Sequence, residues 1–138
     1  MFRTLFAQAL YWWAITHRYI GVEHNVTREF ERAAYYFGRA YAIDPTFYQA
    51  RLNRTIMLGR EFGRIDEALA ELDEILTADE AYTAARLNRA QFRQEAGDYH
   101  GALADWQIYL EAPDANHQDL AQHTIDHLHA LLDTSSDH

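Results

Sequence analysis

Asp119, His123 and His127 stand at i, i+4 and i+8, which puts a carboxylate and two imidazoles on one helical face. Those groups are ligands for zinc or nickel, and five of the eight histidines follow residue 116. The shared face lies opposite Leu120, Leu128 and Leu131, so it is expected to be exposed, without the second shell that holds a metal-ligating ring in place. The expected role is solubility, with no metal bound. Other catalytic chemistry is missing. The chain has no cysteine, which removes thiolates, disulfides and cysteine metal sites together. Its only serines are Ser135 and Ser136, near the end, and six scattered glycines form no phosphate-cradling loop. No enzyme activity and no cofactor are expected.

Binding chemistry is better represented. Ala50-Arg51-Leu52-Asn53-Arg54 recurs residue for residue as Ala85-Arg86-Leu87-Asn88-Arg89, 35 positions later. An Asn amide donates and accepts at once, and Arg presents a fork that matches carboxylates. An identity at that spacing points to a repeat architecture.

The elements that position these groups are helices. The chain is 138 residues long with only 6 Gly and 2 Pro, too few turn residues for a many-stranded fold. The expected class is all-α. A formal charge of −9 argues against a nucleic-acid partner. The uncharged run from Thr4 to Thr16 is shorter than a membrane span needs and is interrupted by Tyr11-Trp12-Trp13. No small-residue cleavage site follows it, so it reads as a buried helix and not a signal peptide. The lack of cysteine is compatible with the cytoplasm, the expected location.

Apolar periodicity predicts helices over about 2–20, 46–61, 65–77, 80–96, 99–111 and 117–133, with a second helix carrying Phe30, Ala33, Ala34, Phe37, Ala40 and Tyr41 in between. Gly21, Gly63 and Gly97 are read as stops, and Asp44-Pro45 as the end of the second helix. Asn25 or Thr27 is expected to cap the second helix, Asp98 the sixth, and Asn116 with Asp119 the last. Leu120, Thr124, Ile125, Leu128, Leu131 and Leu132 are expected to face inward from the last helix. Thr134 onward is expected to be a polar tail. The acidic stripe Asp66, Glu67, Glu71, Asp73 and Glu74 is expected to be a solvated outer face.

The second helices of successive pairs align: Ala33, Ala68 and Ala102 fall 35 and 34 residues apart. Four residues after each come Phe37, Leu72 and Trp106, and Gly63 and Gly97 each precede their alanine by five. A small residue early in helix B, a large apolar one a turn later, an inter-helix glycine and a closing proline resemble the tetratricopeptide repeat. The alanine lets helices A and B cross closely while the larger residue fills the seam. The resemblance implies an α-solenoid of three repeats, about 2–45, 46–79 and 80–113, with 117–133 as the solvating cap and 134–138 as tail, in one domain. The pattern departs from the family at Arg51, Arg86 and Arg93, where the family often has Trp, Leu or an aromatic. One extra residue falls near Leu58 to Phe62, and the first repeat has a longer loop without the glycine.

What the resemblance implies about function is a non-enzymatic scaffold that binds a protein or peptide in a concave groove lined by helices A. Asn53 and Asn88 would clamp a ligand backbone, with Leu52, Ile56, Leu87 and Gln91 beside them. Arg51, Arg54, Arg86 and Arg89 would favour an acidic partner. The same arginines would instead brace adjacent helices if Glu67, Glu71 or Asp105 met them, and the sequence leaves both open. Ala84 and Asn88 stand where the family's carboxylate clamp has a basic pair, which disfavours that clamp. An alternative is self-assembly, as a homodimer. Thirteen of the 19 aromatics lie in the first 48 residues, and Tyr11, Trp12, Trp13, Tyr35 and Tyr36 cannot all face one side of a helix.

Overall fold

A computed structural model describes residues 1–136, and among these every regular element is an α-helix. The chain forms two compact units, Met1–Arg64 and Ile65 onward.

The first unit holds α1 (Phe2–His24), α2 (Thr27–Ile43) and α3 (Tyr48–Arg60). Ala7, Ala14 and Gly21 are all buried in α1 at a spacing of seven, a small-residue stripe on which α2 lies. Ala14 shares a cluster with Ala33, Phe37 and Met57, and Ala7 one with Ala40 and Ala50. Gly21 therefore does not stop the helix. A Cβ there would sit 2.9 Å from the Phe30 ring, so its smallness serves helix crossing, and α1 runs on to His24.

Asn25 ends α1 in the left-handed region at φ 50°, and both its own N–H and that of Val26 donate to the Gly21 carbonyl. It does not cap α2, whose N-cap is Val26 with no side-chain hydrogen bond. Asn25, Gly63 and Gly97 all have positive φ, and α2, α4 and α6 each begin two residues later. The first repeat thus makes the same turn as the others with Asn, whose short polar side chain tolerates this region. The turn was hidden because Asn25 precedes Ala33 by eight positions where the glycines precede their alanines by five.

The inter-repeat turns also recur. Asp44 Oδ1 accepts from the Thr46 N–H at 3.1 Å, and Asp79 Oδ1 from the Ala81 N–H at 3.1 Å. Each Asp captures a backbone donor two residues on, which delays the next helix. α3 and α5 accordingly start at Tyr48 and Thr83, after the predicted 46 and 80.

The second unit holds α4 (Ile65–Ala78), α5 (Thr83–Glu95), α6 (Tyr99–Glu111) and α7 (Gln118–Ser136). Asp98 caps α6 as expected, accepting from the Gly101 N–H at 2.9 Å. One core joins Ala90, Ala102, Trp106 and Tyr109 to Ala121, Ile125 and Leu128. α7 packs on α6 with a narrow stripe of Ala121, Thr124, Ile125 and Leu128. Leu120 and Leu131 are exposed, against expectation, because a stripe spaced i, i+3, i+4, i+7 leaves both outside it. Thr134, Ser135 and Ser136 extend α7 where a tail was expected, and the rest of that tail lies outside the described residues.

Candidate functional site

The repeated pentapeptide sits on α3 and on α5, and its polar groups are used differently in the two units. On α3, the Asn53 Nδ2 donates to the Tyr11 hydroxyl at 3.0 Å and to the Gln49 carbonyl at 3.0 Å. Both amide hydrogens are therefore spent inside the unit. Leu52 is buried and belongs to the core, while Ile56 is half-buried. The Arg51 guanidinium lies 5.5 Å over the Tyr41 ring, a cation–π contact with α2. Arg54 also points at α2, its side chain lying against Gly38, and it makes no ion pair among the described residues.

On α5 the arginines converge. Asp105 of α6 is buried, and Arg89 grips both its oxygens, Nε to Oδ2 at 2.9 Å and Nη2 to Oδ1 at 2.8 Å. Arg93 Nη1 reaches Oδ2 at 2.8 Å and Arg86 Nη1 reaches Oδ1 at 3.2 Å. Arg89 also donates to Asp73 of α4 at 2.9 Å. Asp105 holds the Arg89 guanidinium above its ordinary pKa, against the opposing effect of burial. Three arginines spaced i, i+3, i+7 thus brace α5 against α6, and Arg89 ties in α4. The sequence named Asp105 as a candidate brace but missed Arg93, which appeared there only as a departure from the family pattern.

Asn88 is buried, its Nδ2 donating to the Ala84 carbonyl at 2.7 Å. Leu87 and Gln91 are half-buried on the neighbouring face. Ala84 and Leu87 line an open hollow of about 230 Å³ with Thr83, Tyr109, Asp114, Asn116 and His117. The Tyr109 hydroxyl accepts from the His117 N–H at 3.2 Å, which ties this hollow's wall to the segment before α7.

The aromatic group of the first unit divides. Tyr11 packs on Phe37 and Phe47 with ring centroids at 5.5 and 4.9 Å, so it is a half-buried core residue. Tyr36 is half-buried and stacks on His17 at 5.5 Å. Trp12, Trp13 and Tyr35 are exposed.

His17 itself was missed, although it shares the α1 stripe with Ala14 and Gly21. It bonds through Nδ1 to Glu29, which also accepts from Arg32 at 2.8 Å. The His17 bond is the main cause of a lowered Glu29 pKa, with burial opposing and Arg32 assisting. No group of three or more metal-ligating side chains occurs among the described residues, and no described helix is long and apolar enough to cross a membrane.

No family model and no curated protein sequence matches the chain. Solved structures do. The tetratricopeptide-repeat (TPR) domain of Arabidopsis OM64 is similar with a TM-score of 0.73 at 15% identity, over 93% of this chain and 98% of that one. The second TPR domain of human RPAP3, solved in complex with an HSP70 peptide, is similar with a TM-score of 0.60 at 23% identity, over 83% of this chain and 93% of that one. The seven helices among the described residues, in this order and with left-handed turns inside each pair, have the all-α tetratricopeptide-repeat fold.

Proposed function

We propose that this protein is a non-enzymatic module that binds a protein or an extended peptide on its helix A faces, α3 in the first unit and α5 in the second. The observation that carries this reading is the open hollow beside Ala84 and Leu87, where these side chains and Tyr109 meet the polar groups of Thr83, Asp114, Asn116 and His117. The HSP70 peptide bound to a neighbour of the same fold adds support for the class of ligand. Asn53 Oδ1 and Ile56 on α3, and Leu87, Asn88 and Gln91 on α5, are the proposed contacts.

A preference for an acidic partner rests on Arg54 in this reading. Arg86 and Arg89 are committed to Asp105 and serve the fold. The proposed compartment is the cytoplasm, on the absence of cysteine.

A peptide array probed with the wild-type chain and with an Asn53→Ala/Asn88→Ala variant tests the reading. The variant is first shown by circular dichroism to keep its helix content. Loss of the array signal in the variant is the expected result. Equal signals from both proteins would remove the helix A faces from the function.

A second reading, self-association through the first repeat, is favoured by one observation: the outer face of α1 is exposed and apolar along most of its length.

A further inference from the structure

The uncovered face of α1 has an internal symmetry. Phe2, Leu5, Phe6, Trp12 and Trp13 are 52–82% exposed, Ala9 is exposed at their centre, and no charge occurs from Thr4 to Thr16. At about 100° per residue, all five large side chains fall within roughly 60° of the direction of Ala9. Three and four positions before Ala9 come Phe6 and Leu5, and three and four after it come Trp12 and Trp13. Seven positions away on either side stand Phe2 and Thr16. A two-fold axis through Ala9 carries each of these positions onto its counterpart.

We propose that a second copy of this chain docks antiparallel on α1, Ala9 crossing the partner's Ala9. Phe6 then meets the partner's Trp12, Leu5 meets the partner's Trp13, and Phe2 meets the partner's Thr16. This rests on the self-association reading above and specifies its surface. The small Ala9 side chain sits where the helix axes come closest, and the four bulky residues fill the space on either side of it. Such an interface is isologous and closes at two copies.

Area and charge both favour this occupant. Taking about 150–250 Å² for a whole aromatic side chain, the stripe offers roughly 700 Å² per copy, close to the ~800 Å² per partner of a standard stable interface. Two chains of charge −9 repel each other, and the neutral stripe is where approach costs least. A lipid surface suits the stripe less well, because an interfacial helix needs free basic residues along its polar face. Arg3 is spent on the Ile43 carbonyl at 2.8 Å and Arg18 on Glu61 at 3.3 Å. Trp13 is held for docking by its edge contact with the His17 ring at 5.0 Å.

The absence of cysteine makes the register directly testable. In a two-fold pair only residues at the axis meet their own copy within the Cα separation that a disulfide tolerates. Light scattering at high micromolar concentration is expected to give a dimer mass, and a monomer mass for a Trp13→Glu variant of unchanged helix content. Under diamide, Ala9→Cys is expected to cross-link to a dimer, and Tyr35→Cys, on α2, is not. A wild-type dimer in which Ala9→Cys stays unlinked while Tyr35→Cys cross-links would overturn this register and leave self-association standing. A wild-type monomer would overturn both. A monomer that floats with phosphatidylcholine vesicles would assign the stripe to a membrane surface instead.

Discussion

Arg89 binds the buried Asp105 through both carboxylate oxygens, at 2.9 and 2.8 Å, and so joins α5 to α6 at the centre of the second unit. Arg86 and Arg93 complete the acceptor's shell from the same helix. An aspartate there neutralises part of a cationic face that would otherwise be pressed into the protein.

Asp105→Ala leaves three mostly buried guanidinium groups without their common acceptor. The expected cost is about 3–5 kcal/mol, the range for breaking one side of a buried ion pair. Arg89→Ala leaves Asp105 with Arg86 and Arg93, so about 1–3 kcal/mol is expected. Urea unfolding of both variants checks the order. Equal losses would show that Arg89 alone carries the interaction.

Arg54 and Arg89 are equivalent by repeat, and so are Gly38 and Asp73, each 35 residues apart. Where Arg89 finds Asp73, Arg54 lies against Gly38. Gly38→Asp is expected to give Arg54 an ion pair and to remove a helix-interior glycine. Together these stabilise by about 0.5–1 kcal/mol. The same change should weaken capture of acidic peptides in the array, because Arg54 is the proposed cation.

Gly21→Val places side-chain atoms where a Cβ alone lies 2.9 Å from the Phe30 ring. Overpacking of this kind costs about 1–3 kcal/mol. Thermal melts followed by circular dichroism should show the loss. A neutral result would mean that Phe30 swings away without cost and that the α1–α2 crossing does not depend on the glycine.

The Glu29 carboxyl is held below its ordinary value of 4.5 by His17, and that of Asp44 below 3.8 by the Thr46 hydroxyl. A carboxyl with a depressed folded-state pKa stabilises above its unfolded value, and the stabilisation is lost as pH falls through the lower one. Stability is therefore expected to decline below about pH 4.5. Glu29→Gln should flatten the upper part of that decline, and melting temperatures measured across the acid range check this.

The sequence by itself determined the class of fold and most of its punctuation. Ala33, Ala68 and Ala102, with the apolar residue a turn later, require helices that cross closely in pairs, and all three alanines are fully buried. Gly63 and Gly97 announce their turns because glycine meets little steric penalty at positive φ. Asp98 announces the start of α6. These are local properties of the chain, readable from residue type and spacing.

Tertiary structure decided what those signals meant where one residue type serves two purposes. Gly21 carries a stop signal, yet it is a crossing point, because Phe30 comes back onto it from α2. Asn25 is a turn residue that register alone could not locate. The arginines of the second pentapeptide are compatible with ligand or with brace until Asp105 arrives from another helix and is buried among them. Tyr11 and Trp12 are neighbours in sequence, but one belongs to the core and the other to solvent. Helix packing, a non-local property, selects which face of α1 is covered.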